Sequence, residues 1–451
     1  MNTGGPTPFD AVVVGAGPAG SSAAIWLARA GWKVALLEKQ RFPRRKVCGE
    51  CIAASNLPLL QTLGVGAGIE AHAGPNLRHV RMLQGNAEVS ADLPEADHPL
   101  HRWGRALGRD TLDTLLLRQA RAEGADVLQP ATLQSITGAA GAWTCEVRAV
   151  ESAALRVLRT ALVIDAHGSW EKLPAGNSLS GSTSRTTPPR RHQGSDLFAF
   201  KANFSGTALS DSTISVLALD GGYGGMVMEG AGLATLACCI RRDRLSQLRT
   251  AAPAQRVGDV VQAWLQRECA GVRAAVAGAT RNGPWLVSGP LRPGVRISTD
   301  DPILRVGNAA GEAHPILGEG ISMALQSSAL LCSQLLRDPT GRAALGASAQ
   351  ALVRERYVAQ WRRHFLPRLR LAAAFAQLAM RPQPTALLMG LLRTHPRLLT
   401  QGARWGGKVS PVHALLPDCM VHPAPTPPVA GTRQTSSLPL VLVKPLVAPT
   451  P

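Results

Sequence analysis

At 451 residues the chain is long enough for two domains with substantial cores, and 48 Lys and Arg against 30 Asp and Glu give it a formal net charge of +18. The cations are scattered and Phe, Trp and Tyr make up only 4% of residues, so the basic tract interleaved with aromatics that a nucleic-acid surface needs is missing, and nucleic acid is excluded as a partner. No run of about 18 apolar residues offers a membrane span, no secretory signal precedes the first strand, and the eight cysteines lack disulfide-scaffold spacing, which places the expected setting in a reducing cytoplasm.

The chain is organised around Ala11 to Glu38. The apolar run Ala11–Val14 reads as a buried strand that breaks at Gly15-Ala16-Gly17-Pro18-Ala19-Gly20 and continues as a helix to about Ala30. A second buried strand, Lys33–Leu37, ends in Glu38. Each part suits a dinucleotide. Gly15 permits a tight turn, Gly17 lets a pyrophosphate approach the backbone, and Gly20 lets helix and strand pack closely. The helix start offers free N–H groups and a partial positive charge to phosphates, and Glu38 can accept hydrogen bonds from ribose hydroxyls.

Beyond Glu38 lies a cation-rich loop, Arg41 to Cys51, with the sequence RFPRRKVCGEC. A short helix is expected near Asn56–Leu63 and a pair of strands within 79–93. Gly108-Arg109-Asp110 opens an amphipathic helix carrying Leu112, Leu115, Leu116 and Ala120 on one face. Strands follow at 126–128, 132–136, 145–150, 155–159 and 161–165. Leu173–Gln193, rich in Ser, Thr, Gly, Pro and Arg, reads as a mobile excursion. From Asp196 to Ile240 the pattern is that of an antiparallel sheet with Gly-rich turns, succeeded by helical segments to about Ala277 and a strand near Trp285–Ser288. Ile303–Val306 leads into Gly307-Asn308-Ala309-Ala310-Gly311, and a helix is expected from Gly320 to Leu336. Helical patterns continue to about Leu399, and the Pro-rich end from Ser410 reads as a disordered tail.

Four separated stretches match one arrangement: GAGPAG with Glu38, the RKVCGE loop, GRDTLD at Gly108–Asp113, and VGNAAGEAHPILGEGI at Val306–Ile321. Together they resemble the FAD-dependent oxidoreductases of the para-hydroxybenzoate hydroxylase superfamily, and within it the geranylgeranyl reductase-like branch. The resemblance implies an α/β plus α+β protein in which a Rossmann-like FAD-binding domain carries an inserted antiparallel-sheet substrate domain and C-terminal helices. The expected division is an FAD domain over 9–170 with embedded substrate-side strands at 79–103, a substrate domain over 171–290, a second FAD portion over 291–337, helices over 338–409 and the tail.

The FAD-binding residues so implied are Gly15, Gly17, Pro18, Ala19, Gly20, Glu38, Lys39, Arg45, Lys46, Cys48, Gly49, Arg109, Leu133, Asn308, Pro315, Gly318, Gly320 and Ile321. Arg109 resembles the arginine that reaches the pyrophosphate. Asn308 stands where an Asp usually holds the ribityl chain, and its amide oxygen can still accept a hydroxyl hydrogen. Pro315–Ile321 resembles the segment beside the isoalloxazine, where the helix start would favour the negative charge of reduced flavin. Glu319 must then point away from the ring. Two departures stand out. His167-Gly168 replaces the Asp-Gly pair frequent after the fifth strand, and the branch's Tyr-x-Trp-x-Phe-Pro signature is half present as Gly222-Tyr223-Gly224-Gly225-Met226-Val227-Met228. That change points to a different apolar substrate.

No residue stands out as an obligatory base; the catalytic candidates are His314, Tyr223 and Cys48. His314 can exchange a proton near the reacting carbon or simply be satisfied by backbone. Tyr223 can hold a substrate polar group or pack. Cys48-Gly49-Glu50-Cys51 spells CxxC, but the family motif already accounts for Cys48, and no second pair supports zinc. The basic stretch Arg362–Arg370 either lies on an acidic membrane or is the exposed face of a buried helix. Only one dinucleotide unit is visible, so NAD(P)H would visit the flavin transiently. The expected activity is an NAD(P)H-dependent monooxygenase or dehydrogenase acting on a hydrophobic small molecule of polyketide or phenol kind, with a prenyl-chain reductase and a non-catalytic flavin-binding or membrane-associated module as alternatives.

Overall fold

The computed structural model describes residues 8–151, 154–169, 173–174, 193–337 and 345–410. Its centre is a parallel arrangement built on Phe9–Val14, whose residues Ala11–Val14 are buried on both faces, as a run of consecutive apolar residues requires. Across this sheet the order is 126–128, 34–37, 9–14, 155–165, 142–149, 131–139, with Leu304–Arg305 added beside 155–165. The first four strands and Leu304–Arg305 run parallel. The segments 142–149 and 131–139 extend the sheet as antiparallel neighbours. The two strands expected at 155–159 and 161–165 are one, Leu155–Asp165. Buried Thr160 does not break it, because its hydroxyl donates to the carbonyl of Leu162.

The helix Pro18–Arg29 is buried along nearly its whole length. It packs against Gly320–Leu335, which is buried from Ile321 onward, and both share a core with Leu112, Leu116 and Tyr357. Sandwiching such a helix pair against a parallel sheet leaves the strand ends and helix starts facing one crevice.

A second sheet runs in the order 280–281, 197–205, 233–241, 222–228, 213–219, 79–84, 87–92. The strands at 79–92 therefore belong to this second sheet. Within 197–241 the pairings are antiparallel, as expected, and 213–219 in addition pairs in parallel with 79–84, Thr213 opposite His79. These segments are far apart in sequence, so no hairpin dictates their direction.

The C-terminal region is helical over Ala347–Ala379, Pro382–Thr394 and Arg397–Trp405. On the first of these Trp361, Phe365, Leu369 and Ala372 are buried while Arg362, Arg363 and Arg370 are exposed. The 362–370 stretch is thus a core helix with a basic outer face. Among the described residues no helix is long and apolar enough to cross a membrane. The tail beyond Ser410 and nearly all of the 173–193 excursion lie outside the described residues.

Candidate cofactor and substrate site

The glycine turn has the sterics its sequence implies. Gly15 sits at φ +102°, and a Cβ there would lie 2.6 Å from the carbonyl oxygen of Ala166. A Cβ on Gly20 would lie 1.8 Å from the Gly15 carbonyl oxygen, so only hydrogen lets the helix approach the strand. Gly17 differs, since its nearest non-local atom would be Arg109 Nη2 at 3.7 Å, and no side chain caps the helix there. Space and uncapped N–H groups are therefore left at one spot. Glu38 is 6% exposed. Its Oε2 accepts the Ala16 N–H and its Oε1 the Gln40 N–H, both at 3.0 Å. Each oxygen keeps a lone pair for a further donor.

Three cations converge on this end. Arg109 makes a bidentate pair with Asp113, Nε–Oδ1 and Nη2–Oδ2 both at 2.8 Å. Arg44 stacks on Phe42 and lies 3.4 Å from Asp113 and 3.7 Å from Glu38. Lys46 has no hydrogen bond or ion pair among the described residues, and burial, then Arg109 and Arg44, push it down to about 8. Three positive groups face two carboxylates, so an anion added here would relieve the repulsion that depresses Lys46. That excess, with the open space at Gly17, fits a dinucleotide pyrophosphate.

One cation of the sequence reading is misplaced. Arg45 does not line this crevice; it donates to the Asn203 side chain and to the Asn282 carbonyl on the second sheet. Arg44 takes the inward place, because neighbouring residues in an extended segment project to opposite sides. Lys39 is exposed and Leu133 packs in the outer core of the first sheet, so neither lines the cavity. Gly20 also stays behind the wall, as a packing residue.

From the cationic end the cavity runs without interruption to the second sheet and holds about 1650 Å³ of empty space, part of it open to solvent. Gly15, Gly17, Pro18, Ala19, Glu38, Lys46, Cys48, Gly49 and Arg109 line it, as do Asn308, Pro315, Gly318, Gly320 and Ile321. Asn308 donates to Ser169 Oγ at 2.9 Å, and Ser169 in turn donates to Glu312 at 3.0 Å, so the Asn308 amide oxygen faces no competing donor among the described residues. His167, where the family shows Asp, lines the cavity and is paired with buried Asp165. Glu319 is absent from the lining; it is 1% exposed and lies 3.5 Å from Lys408 and 3.7 Å from Arg368.

The far wall is apolar, formed by Phe200, Ile214, Val216, Met226, Val227 and Leu291. Tyr223 lies within it, 1% exposed, with its hydroxyl 3.2 Å from His314 Nδ1, and Ser215 and Ser288 add hydroxyls to the same lining. Burial raises the Tyr223 pKa well above its ordinary value and lowers that of His314, so both are neutral at pH 7. His314 itself stands behind Tyr223, outside the lining.

Cys48 accepts the Glu50 N–H at 3.3 Å and Cys51 is 7% exposed, and both thiols are free. Burial pushes Cys51 up to about 12, which leaves almost no thiolate at neutral pH. Cys51→Ser should therefore keep flavin content and turnover within twofold, whereas Cys48→Ser should impair both. Equal and complete loss in the two variants, read by flavin absorbance and turnover, would restore a thiol–disulfide role.

A buried polar network was not legible in the sequence. Glu50, on the flavin loop, pairs with Lys201 of strand Leu197–Ser205, and both are 2% exposed. Thr235 Oγ1 lies 2.6 Å from Glu50 and also contacts Glu229, while Asn203 Nδ2 donates to Glu229 at 2.6 Å. One hydroxyl hydrogen cannot serve two carboxylates, so one carboxyl carries the proton. Burial and then Glu50 push Glu229 up to about 8, which makes Glu229 the neutral member. The network ties the KVCGE loop to the second sheet, with the Arg109 N–H donating to Glu50 at 2.8 Å.

A glycine turn at a parallel strand, an acid at the next strand end and a surplus of cations define an FAD-binding α/β fold. Residues 9–189 match the family described as FAD binding domain. It is similar to conditioned medium factor receptor 1 of Dictyostelium discoideum, 28% identical over 348 residues, covering 73% of this chain and 63% of that protein. It is also similar to menaquinone reductase of Mycobacterium tuberculosis, 40% identical over 121 residues, covering 26% of this chain and 28% of that one. The chain thus spans less than two thirds of the length of either relative. Two solved structures share the fold. One is the myxobacterial chondrochloren halogenase, with a TM-score of 0.67, 19% identity and coverage of 88% of this chain and 91% of that one. The other is a geranylgeranyl bacteriochlorophyll reductase-like protein of Thermoplasma acidophilum, with a TM-score of 0.62, 17% identity and coverage of 89% and 100%. Halogenase and reductase resemble the chain's fold to a like degree, so the likeness does not choose between them.

Proposed function

We propose that the chain is an NAD(P)H-dependent FAD monooxygenase or dehydrogenase acting on a hydrophobic small molecule of polyketide or phenol kind. The observation that carries this reading is the continuous cavity, cationic at the glycine turn and apolar against the second sheet. Bound FAD would supply the redox chemistry. This chain's own residues supply the rest. Arg44, Lys46 and Arg109 hold the phosphates, Glu38 and Asn308 accept from hydroxyls, and the apolar wall excludes water. The neutral Tyr223 hydroxyl, steadied by His314, is suited to orient a substrate oxygen. Among the described residues only the Phe9–Glu38 unit has the dinucleotide arrangement, so NAD(P)H binds transiently.

Anaerobic mixing with NADH or NADPH should bleach the flavin, and aerobic turnover with phenolic or polyketide compounds should consume oxygen or desaturate the substrate. Saturation of a prenyl double bond without oxygen uptake would move the assignment to a prenyl-chain reductase. A flavin that neither nicotinamide reduces would mark a non-catalytic module.

The same reading places Gly318–Ile321 beside the flavin ring. The helix Gly320–Leu335 starts there with no side-chain cap, and a Cβ on Gly320 would meet no protein atom within 4 Å. The first carbon of a side chain in Gly320→Val therefore enters space that the protein leaves open on the cavity side. Helix-start interactions of ~0.3–2 kcal/mol correspond to shifts of up to tens of millivolts, so the FAD midpoint potential of this variant should fall by that order. An unchanged potential at full flavin occupancy would place the ring elsewhere.

A further inference from the structure

The C-terminal helices carry a surface that the cavity chemistry does not use. From Arg356 to Pro417 the sequence contains no Asp or Glu. Within this stretch, Pro382–Thr394 and Arg397–Trp405 lay one side on the second sheet. Met389 and Leu392 are buried there in one cluster with Met82, Val89 and Tyr223, and Leu399 packs against it. The other side is open. Leu387 is 79% exposed, Leu391 48%, Leu398 44% and Trp405 63%. Leu387 and Leu391 stand one turn apart on the same helix face.

The same two helices carry Arg393, Arg397 and Arg404, with Arg381 at the start of the first. All four are exposed, and none forms an ion pair among the described residues. On the adjoining strand Glu88 is paired with Arg81, and Asp92 is hydrogen-bonded to the His79 ring. The face therefore combines exposed leucines, an aromatic side chain with a polar edge, and uncompensated guanidinium groups on short helices. That composition belongs to helices lying in the plane of a lipid interface. Leucine and tryptophan enter the headgroup boundary, and long arginine side chains reach phosphates.

We infer that the face formed by Pro382–Trp405 docks the protein on the surface of an anionic lipid bilayer. Charge selects this occupant. A second copy would set the same unpaired arginines against one another, and the neutral lipid surface offers them no counter-charge. The contact is peripheral, and it holds whatever the cavity turns over.

Full-length FAD-loaded protein is floated with phosphatidylcholine vesicles, with and without phosphatidylglycerol. Binding should require phosphatidylglycerol and weaken as salt is raised. At about fivefold per cation near an anionic surface, the triple variant R393Q/R397Q/R404Q should lose about a hundredfold in affinity. L387E/L391E should abolish binding while keeping wild-type flavin content and melting temperature, and Trp405→Ala should weaken it. Equal binding to both vesicle types, or unchanged binding by the triple variant, would overturn the assignment. So would a concentration-dependent dimer that L387E/L391E dissolves, or tighter association with polyglutamate than with the anionic vesicles.

Discussion

Arg109→Ala is expected to cut FAD affinity at least tenfold and to lower the stability of the fold as well. A charge-assisted phosphate contact is worth ~1.5–3 kcal/mol, and about 1.4 kcal/mol is a factor of ten. The stability loss has a separate origin. Asp113 is 0% exposed and would lose its bidentate partner, keeping only Arg44 at 3.4 Å. Breaking a buried pair from one side costs ~3–5 kcal/mol. Adding Asp113→Asn removes the orphaned charge, so the double variant should recover much of the melting temperature while FAD binding stays weak. Glu38→Ala should weaken FAD by a smaller factor, since Glu38 accepts hydrogen bonds and carries no phosphate. Unchanged FAD affinity in both Arg109→Ala and Glu38→Ala, titrated at dilute protein, would reject the placement of the dinucleotide.

Lys201→Met is expected to destabilise the protein by ~3–5 kcal/mol, because Glu50 would be left charged and enclosed. Glu50 is held below its usual pKa against the cost of burial by the Glu229 side chain and the Lys201 ammonium. Without that ammonium Glu50 keeps only the Arg109 N–H and the Thr235 hydroxyl it shares with Glu229, and Asn203 reaches only Glu229. The loop carrying Lys46 and Cys48 is fixed to the second sheet through this point, so flavin should dissociate before global unfolding. Glu50→Gln combined with Lys201→Met leaves no net buried charge and should restore most of the midpoint in urea. If Lys201→Met alone unfolds at the wild-type midpoint, the pair contributes little and the loop is held by its backbone.

The dinucleotide unit was legible because each of its parts has a local cause. Consecutive apolar residues dictate a buried strand, Gly15 and Gly20 sit where a Cβ would strike backbone, and Glu38 closes the next strand. The altered signature Gly222–Met228 pointed to an apolar substrate, and of its residues Tyr223 to Val227 line the cavity while Met228 does not. What escaped detection depends on pairings distant in sequence. Nothing near Glu50 announces Lys201, and nothing in 213–219 announces a parallel partner at 79–84. The choice of Arg45 over Arg44 turned on which side of an extended loop each residue faces, which composition does not encode. Asp113 had a signal, since it follows Arg109 by four residues on one helix face. The acid-free C-terminal stretch was also visible, but only packing shows that 362–370 faces the core while 387–405 leaves leucines outside.

The central claim is that a complete FAD, including its adenosine half, occupies the crevice between the glycine turn and the second sheet. Purified protein should be yellow, and the flavin released on denaturation should be FAD in near-stoichiometric amount by chromatography. Recovery of FMN alone, or of a colourless folded protein that added FAD does not reconstitute, would contradict it.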